Sequence, residues 1–336
     1  MSYLIVNDNH LGLKRKSGAT QESMNALHDL QIAILWAALE KSTADTLIVL
    51  ADLFADAFVE PAVLWQAYQT LMTWGGKIYL VIGNHDVSKD RSKMSSLEFL
   101  ARLLPNAVLI DKPQIVDDNF AVVPHLLNQE EFDNAVAWAA EESTILLAHC
   151  NYDNFFAAEK DHSLNLTPEQ AKQFDLVILG HEHVKRTVGN VHVLGSPLPC
   201  NISEAEHDHW IHEWDGAGAP EATVQTFDNS ACAEIDWRDL AEIPPGARFV
   251  RVVGSATATE AAQVIQEISR FRSLANDVFM ITNSVRVDGV ELGSFTDEDS
   301  SLESFDPMAV LMEVLAPEYR ARLVEIKAPV TGSGGR

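Results

Sequence analysis

The stretch Ile82-Gly83-Asn84-His85-Asp86 places metal-binding and acid–base side chains directly after an apolar run. The run, residues 78–82, predicts a buried strand, because its residues are continuously apolar and it stops at a glycine. Asn84 offers a neutral oxygen ligand and His85 a titratable imidazole, and we expect Gly83 to let the backbone turn sharply. An NHD tripeptide alone is weak evidence, so its weight depends on similar junctions elsewhere.

Four other predicted strands also end in residue types that bind metals. Asp8 and His10 follow the first of them, and residues two apart at a strand end point the same way, so they can share one ion. The candidate ligands are Asp8, His10, Asp52, Asn84, His149, His181 and His183.

These seven candidates combine oxygen and imidazole ligands with no thiolate, which suits Mn²⁺, Fe²⁺ or Zn²⁺ better than a structural zinc site. Seven ligands are too many for one ion, whereas two ions that share one carboxylate would each have four. Two such ions can lower the pKa of a bridging water and stabilise the attacking and leaving oxygens of a phosphoryl group. We therefore expect two divalent ions, with Mn²⁺ preferred and Mg²⁺, Fe²⁺ or Zn²⁺ left open.

The other histidines are interpreted as structural. Four are isolated and are assigned to the surface or the core: His28, His125, His162 and His192. Three form a cluster that a half-exposed edge strand over residues 209–214 explains equally well: His207, His209 and His212.

Strands and helices alternate along residues 1–243, which predicts an α/β domain with its chemistry at the strand ends. Past Pro244-Pro245-Gly246, a strand, a helix and a strand predict a small α+β capping domain over residues 244–293. Residues 294–305 are acidic and serine-rich, as in a flexible linker. Two apolar helices are expected over residues 306–328, and a disordered tail over residues 329–336.

Composition favours a soluble cytoplasmic protein. The chain has 336 residues, 47% of them hydrophobic. It contains no apolar run of membrane-spanning length, and a strand near residue 3 leaves no place for a signal peptide. Three scattered cysteines, Cys150, Cys200 and Cys232, are too few for a disulfide framework or a zinc site.

The formal net charge of −25 argues against a general nucleic-acid-binding surface. Eight of the 24 Lys and Arg residues nevertheless lie in three loops that follow ligand motifs. Solvation explains any one loop, but three at one site favour a phosphate-rich substrate. The DNA-binding candidates are Lys14, Arg15, Lys16, Lys89, Arg91, Lys93, Lys185 and Arg186. The chain has no GxxxxGK[ST] loop, so ATP hydrolysis would require another chain.

As an ordered set, the motifs resemble those of the calcineurin-like metallophosphoesterases. They are D-x-H at Asp8 and His10, the loop at Asp52, G-N-H-D at 83–86, His149, and G-H-x-H at 180–183. Residues 8–12, 52–54 and 195–199 further resemble the SbcD-type nuclease subunits of DNA repair and recombination complexes. Length and tail organisation are closest to the T-even phage members of that branch.

The resemblance implies a two-layer β-sandwich flanked by helices, a capping domain, and C-terminal helices that bind an SMC-like ATPase of the SbcC type. It implies a homodimer within a heterotetramer, with DNA as substrate and no membrane. It further implies that one metal is held by Asp8, His10, Asp52 and His183, and the other by Asp52, Asn84, His149 and His181. His85 would protonate the leaving oxygen or steady the scissile phosphate.

Two positions depart from the family pattern. Ala51 precedes the bridging Asp52 where the family usually has glycine, which is expected to shift the loop slightly without removing a ligand. The family often has a histidine or aspartate after the Asp-Leu-Phe run to orient the catalytic histidine. Ala55 stands there instead, with Asp56 next, so support of His85 by Asp56 is left open.

Three functions stay open at this point. The first is a metal-dependent DNA exonuclease–endonuclease subunit that works with an ATPase. The second is a nucleotide phosphodiesterase or phosphoprotein phosphatase of the same superfamily. The third is a non-catalytic scaffold for the ATPase, against which the complete ligand set argues. The separate cap, acidic linker and apolar terminal helices favour the first.

Overall fold

Two six-stranded sheets packed face to face form the centre of the molecule. The computed structural model describes residues 1–13, 20–88, 90, 92–154 and 163–287. The first sheet contains β1 (Tyr3–Val6), β2 (Thr46–Leu50), β3 (Lys77–Val81), β4 (Ala107–Ile110), β13 (His209–Trp214) and β14 (Glu221–Phe227). Its order is β14-β13-β1-β2-β3-β4, and the strands from β1 to β4 are parallel.

The second sheet also has six strands. It contains β5 (Gln114–Val116), β6 (Phe120–Val123), β7 (Ile145–His149), β10 (Leu176–Gly180), β11 (Arg186–Val188) and β12 (Val191–Val193). The order is β11-β12-β10-β7-β6-β5, with four parallel strands between two antiparallel edge strands. The predicted two-layer α/β architecture is confirmed.

Continuous apolar strand sequences arise because both faces of each sheet are buried. In β2, Ile48 and Leu50 face the core between the sheets, whereas Leu47 and Val49 face the helices. Alternate residues of a strand point to opposite faces, so each of the two apolar sets covers a different core. The strands of the second sheet divide their side chains in the same way.

Helices cover the outer faces. Against the first sheet lie α1 (Gln21–Lys41), α2 (Pro61–Leu71) and α3 (Ser96–Leu103), and against the second lies α4 (Gln129–Glu142). Thr20 caps α1 by accepting from the Ser23 backbone N–H, and Ser95 and Glu98 form a capping box on α3. The helix predicted from Pro168 is a single turn, α5 (Pro168–Ala171).

A smaller parallel sheet follows the sandwich. It contains β15 (Cys232–Asp236), β16 (Phe249–Val253) and β18 (Met280–Asn283), and α6 (Ala261–Leu274) packs on it. Two short strand pairs complete the fold: β8 (Asn151–Tyr152) with β9 (Asn165–Leu166), and β17 (Ser255–Ala256) with β19 (Arg286–Val287).

The small sheet begins before the predicted capping domain does. Its first strand, β15, precedes Pro244, and contacts place the sheet in the same compact unit as the sandwich, Met1–Val290. Phe249 of β16 packs on Phe227 of β14 with ring centroids 5.4 Å apart. The division at residue 244 therefore stays a prediction.

The interpretation of residues 209–214 as an edge strand is wrong. β13 pairs with β1 on one side and β14 on the other, so it lies inside the sheet. His209 and His212 are consequently buried, at 2% and 1% exposure. β14 escaped sequence analysis because its residues are alternately exposed and half-buried, without an apolar run.

Several predictions fall on residues that the structure does not describe. They are the linker (294–305), the terminal helices (306–328), the tail (329–336), and the basic residues Lys14, Arg15, Lys16, Lys89 and Arg91. Within the described part of the chain, no helix is both long and apolar enough to cross a bilayer.

Candidate metal centre

All seven candidate ligands lie at the carboxyl ends of parallel strands, where the two sheets meet. β1 leads to Asp8 and His10, β2 to Asp52, and β3 to Asn84, while β7 ends in His149. The loop after β10 carries His181 and His183. The carboxyl ends of parallel strands share one edge, so residues far apart in sequence converge there.

One group of ligand atoms surrounds a carboxylate oxygen of Asp8. The Nε2 atoms of His10 and His183 lie 3.1 Å apart, at 3.9 and 3.8 Å from Asp8 Oδ1. Asp8 Oδ1 is buried and accepts no hydrogen bond from the described residues. A buried carboxylate oxygen beside two imidazole nitrogens fits a divalent cation, which would supply its missing partner.

A second group forms around Asn84. Its Oδ1 lies 3.0 Å from His149 Nε2 and 3.2 Å from His181 Nδ1, and His149 Nε2 is 3.2 Å from Asp52 Oδ2. Asp52 can join a metal grouping with His149 and His181 and another with His10 and His85. Its position between the groups fits a carboxylate shared by two ions.

Burial and mutual charge set the ionisation of these ligands. Burial and the adjacent His183 ring lower the pKa of His10 to about 4, which leaves that imidazole neutral and able to ligate. For His149 burial acts in the same direction, but Asp52 and Asp8 outweigh it and raise its pKa to about 9. A cation bound by His149 must displace that proton, so metal binding is coupled to proton release.

Several residues of these loops have backbone conformations that residues other than glycine rarely adopt. Asp8, His10, Asp52 and His181 have φ values of +48°, +46°, +47° and +85°. Left-handed backbone costs a residue with a side chain roughly 1–2 kcal/mol. Ala51 has φ +70°, which gives a physical reason for the glycine that the family pattern has there.

Gly83 is needed for a different reason from the one expected. It is absent from the residues with positive φ, so it does not supply a left-handed turn. A Cβ atom at this position would instead lie 2.0 Å from Asp52 Oδ1. The glycine allows the third strand's loop to pass against the shared carboxylate.

Sequence analysis gave no role to Asp86, whose carboxylate links the loops after β2 and β3 through hydrogen bonds. Its Oδ2 accepts the backbone N–H groups of Asp52 (2.8 Å) and Gly83 (3.0 Å). Burial and the nearby Asp52 carboxylate raise the pKa of Asp86 to about 8. Its place in the NHD motif was a usable signal, because carboxylates in tight loops commonly accept backbone N–H groups.

Glu204 was missed as well. Its Oε1 accepts from His183 Nδ1 at 3.1 Å, which leaves Nε2 of that ring toward Asp8. Burial lowers the pKa of His183, but Cys200 and Glu204 outweigh it and raise the pKa well above its ordinary value. No local sequence pattern joins positions 183 and 204, so the contact could not be predicted.

His85 lies beside the ligands but is largely exposed. Its Nδ1 lies 3.0 Å from the carbonyl oxygen of Ala55; a carbonyl only accepts, so Nδ1 carries a proton and Nε2 is left for another partner. Asp56 instead accepts from the Ala57 backbone N–H. The orienting partner is thus the backbone at position 55.

An open cavity of about 550 Å³ lies against His85. Asn84, Phe58 and Lys93 also line it, and Lys93 pairs with Asp90 at 3.5 Å. The cavity is open to the His85 imidazole and to the candidate ligand Asn84.

The other two described basic candidates have protein partners. Arg186 donates to both carboxylate oxygens of Glu182, at 2.8 and 2.9 Å, and to the Tyr152 carbonyl. Lys185 Nζ lies 5.9 Å from the Trp210 ring. DNA contact by these residues stays a prediction.

Comparison with known proteins shows similarity to a curated phage protein. The chain is 25% identical to "Exonuclease subunit 1" of Enterobacteria phage T4 over 272 residues, covering 73% of this chain and 71% of that protein. The crystal structure of Pseudomonas putida nuclease MPE is 17% identical, with a TM-score of 0.31 over 58% of this chain and 72% of that one.

Another solved structure is 12% identical, with a TM-score of 0.39 over 66% of this chain and 98% of that one. The model of the calcineurin-like phosphoesterase family matches residues 1–185, which include all seven candidate ligands and His85. The chain therefore belongs to the calcineurin-like phosphoesterases, a family of divalent-metal-dependent hydrolases.

Proposed function

We propose that this chain is the DNA nuclease subunit of an SbcCD-like recombination and repair complex, cleaving phosphodiesters as an exonuclease and endonuclease. The observation that carries the proposal is the convergence of seven oxygen and imidazole donors beside an open cavity at His85. Similarity to a phage exonuclease subunit over 73% of the chain supports a nucleic-acid substrate.

The ligands divide into two sets that share Asp52. One is Asp8, His10, Asp52 and His183, and the other is Asp52, Asn84, His149 and His181. When bound, two divalent ions supply acidification of a water molecule and positive charge for the phosphoryl group. Asp86 and Glu204 keep the loops and the His183 ring in position for them.

His85 acts on the leaving group. With Nδ1–H donated to the Ala55 carbonyl, Nε2 can hold a proton toward the cavity and deliver it to the leaving oxygen. The same atom can donate to the scissile phosphate. Lys93, on the wall of the same cavity, would contact a neighbouring phosphate.

The sequence supports a proposal for the residues that contact DNA and for those that bind a partner. The eight basic residues of the three loops would contact phosphates, and residues 306–328 would bind an SMC-like ATPase, with two copies of each chain in the complex. The apolar helix pair that the sequence predicts there would have a face to bury, and a helix-in-groove contact with the ATPase would bury it.

Cleavage assays on linear and hairpin DNA test the proposal. After chelation the full chain should be inactive, and Mn²⁺ should restore cleavage better than Mg²⁺, because imidazole-rich sites favour softer ions. The partner ATPase with ATP should stimulate processing. Turnover of nucleotide diesters or phosphoproteins without DNA cleavage would favour the second family activity. ATPase binding with no hydrolysis of any of these would indicate a scaffold.

A further inference from the structure

A cysteine lies beside one of the two groups of candidate ligands. Cys200 follows the Gly195–Pro199 segment after β12, and its Sγ and one ring nitrogen each of His10 and His183 all lie within 4.8 Å of one another. The sequence had excluded cysteine ligands, because the three cysteines are scattered along the chain. The fold brings this one to the metal centre.

The spacing suits ligands of a common ion. Atoms that bind one ion at roughly 2.0–2.3 Å are about 3.3–3.8 Å apart in a tetrahedral site and about 4.6 Å when opposite each other. The separations between these three atoms, at up to 4.8 Å, extend to the upper end of this range.

A second observation points to the same position. Asp8 Oδ1 is fully buried, accepts no hydrogen bond from the described residues, and lies 3.9 Å from His10 Nε2 and 3.8 Å from His183 Nε2. The carboxylate oxygen of Asp8 and the sulphur of Cys200 thus both lie close to the rings of His10 and His183.

Glu204 holds the cysteine and a histidine together. Its Oε2 accepts the backbone N–H of Cys200 at 2.6 Å, and its Oε1 accepts from His183 Nδ1 at 3.1 Å. Asn201 donates to the same carboxylate at 2.6 Å. An outer carboxylate that fixes a histidine ring and the loop beside it is typical support for a metal ligand.

We infer that Cys200 is an additional, sulphur ligand of the ion held by Asp8, His10 and His183. The inference rests on the proposed two-metal centre and adds an asymmetry to it. The position around Asn84, His149 and His181 has only oxygen and nitrogen donors. A thiolate at the first position favours soft or borderline ions such as Zn²⁺, Fe²⁺ and Co²⁺ over Mn²⁺ and Mg²⁺, so the two positions should select different metals.

Cobalt spectroscopy on the full chain tests this assignment. The metal-free protein is titrated with Co²⁺; visible ligand-field bands report binding by any ligand, and a near-ultraviolet sulphur-to-cobalt band reports a thiolate. We expect both in the wild type and loss of the sulphur band alone in Cys200→Ser. The control is Cys232→Ser, which changes a half-buried cysteine on β15 and should keep both signals.

Metal competition gives a second readout. Cys200→Ser should weaken Zn²⁺ or Cd²⁺ binding at one of the two positions by about 10-fold or more, while Mn²⁺ affinity changes little. Ligand-field bands with the same near-ultraviolet spectrum in the wild type and Cys200→Ser would overturn the inference and leave the metal centre standing. Failure of the wild type to bind Co²⁺ would overturn both. Thermal unfolding of each variant checks its folding.

Discussion

The two sheets supply the two halves of the candidate metal centre by different means. The loops of the first sheet place Asp8, His10 and Asp52 with left-handed backbone, and Ala51 shares that conformation. Of the ligands from the second sheet, His149 lies at the end of a regular strand, and His181 alone has positive φ. The first half therefore stores more backbone strain, and the second depends more on strand geometry.

The supporting carboxylates differ in the same way. Asp86 of the first half accepts the backbone N–H groups of Asp52 and Gly83, so it holds the chain itself in place. Glu204 serves the second half by accepting from the ring of His183. Strain at functional sites persists only where the surroundings over-determine it, and Asp86 supplies that constraint.

The largest expected effects come from replacing one histidine of each half, His85 of the first and His149 of the second. His85→Ala should keep both metals yet lose about 10²–10⁴-fold in DNA cleavage, because the proposal assigns His85 to proton transfer and to neither of the two ligand sets. His149→Ala should lose metal itself, since this ring contacts Asp52 and Asn84 at 3.2 and 3.0 Å. Metal content after dialysis and single-turnover cleavage measure the two effects. Equal metal loss in both variants would contradict the separation of roles.

Substitution of one glycine in each half, Gly83 and Gly180, tests how closely that half is packed. A Cβ on Gly83 would lie 2.0 Å from Asp52 Oδ1 and 2.7 Å from its backbone nitrogen, so Gly83→Ala must displace the loop. A Cβ on Gly180 would lie 3.0 Å from His149 Nδ1, 3.1 Å from the Leu50 carbonyl oxygen and 3.2 Å from Asp8 Oδ2, so these neighbours need to move by only a few tenths of an ångström. We expect Gly83→Ala to cost about 3 kcal/mol of unfolding free energy and Gly180→Ala about 1 kcal/mol.

Denaturant unfolding and metal titration of both variants check this prediction. Gly83→Ala should also weaken metal binding more than Gly180→Ala does, because it moves the carboxylate shared by both ions. A larger loss in Gly180→Ala would mean that the second half is the more tightly packed.

The parts of the centre that the sequence predicts are those that follow from strand ends. Asp52 and His149 stand directly after apolar runs and Asp8 stands one residue further on, and parallel strands bring such positions to one edge. Support from Glu204 and proximity of Cys200 depend on where the chain returns after β12, which no local pattern encodes. The strain at Ala51 depends likewise on the neighbouring loops, and the sequence shows it only as a departure from a family pattern.

A buried histidine of the first sheet, His212, is not a candidate ligand, but it should make the stability of the fold depend on pH. His212 of β13 is 1% exposed, and neither ring nitrogen has a hydrogen-bond partner among the described residues. Burial, with Lys185 and His192, lowers its pKa to about 3 from an ordinary 6.5. Below pH 6.5 the unfolded chain takes up a proton that the folded chain refuses until about pH 3.

His212 therefore makes stability fall as pH decreases through this window, by on the order of 1 kcal/mol per pH unit. His212→Leu should flatten that part of the stability curve, whereas the matched change His207→Leu, at an exposed histidine, should leave its slope unchanged. Urea unfolding across the window measures both slopes. A wild-type slope in His212→Leu would show that the acid sensitivity arises elsewhere.

The smallest effect concerns one alanine from each half. Ala51 and Ala148 are both fully buried and directly precede the ligands Asp52 and His149, but only Ala51 has left-handed backbone. Glycine at either position forfeits about 0.8 kcal/mol of methyl burial and roughly 0.5–1 kcal/mol of chain entropy. At position 51 it also relieves roughly 1–2 kcal/mol of backbone strain. Ala51→Gly should consequently be close to neutral, and Ala148→Gly should cost about 1–2 kcal/mol. Equal unfolding free energies for the two variants would show that the left-handed backbone before Asp52 carries no strain, and the contrast between the two halves would then rest on Asp86 and Glu204 alone.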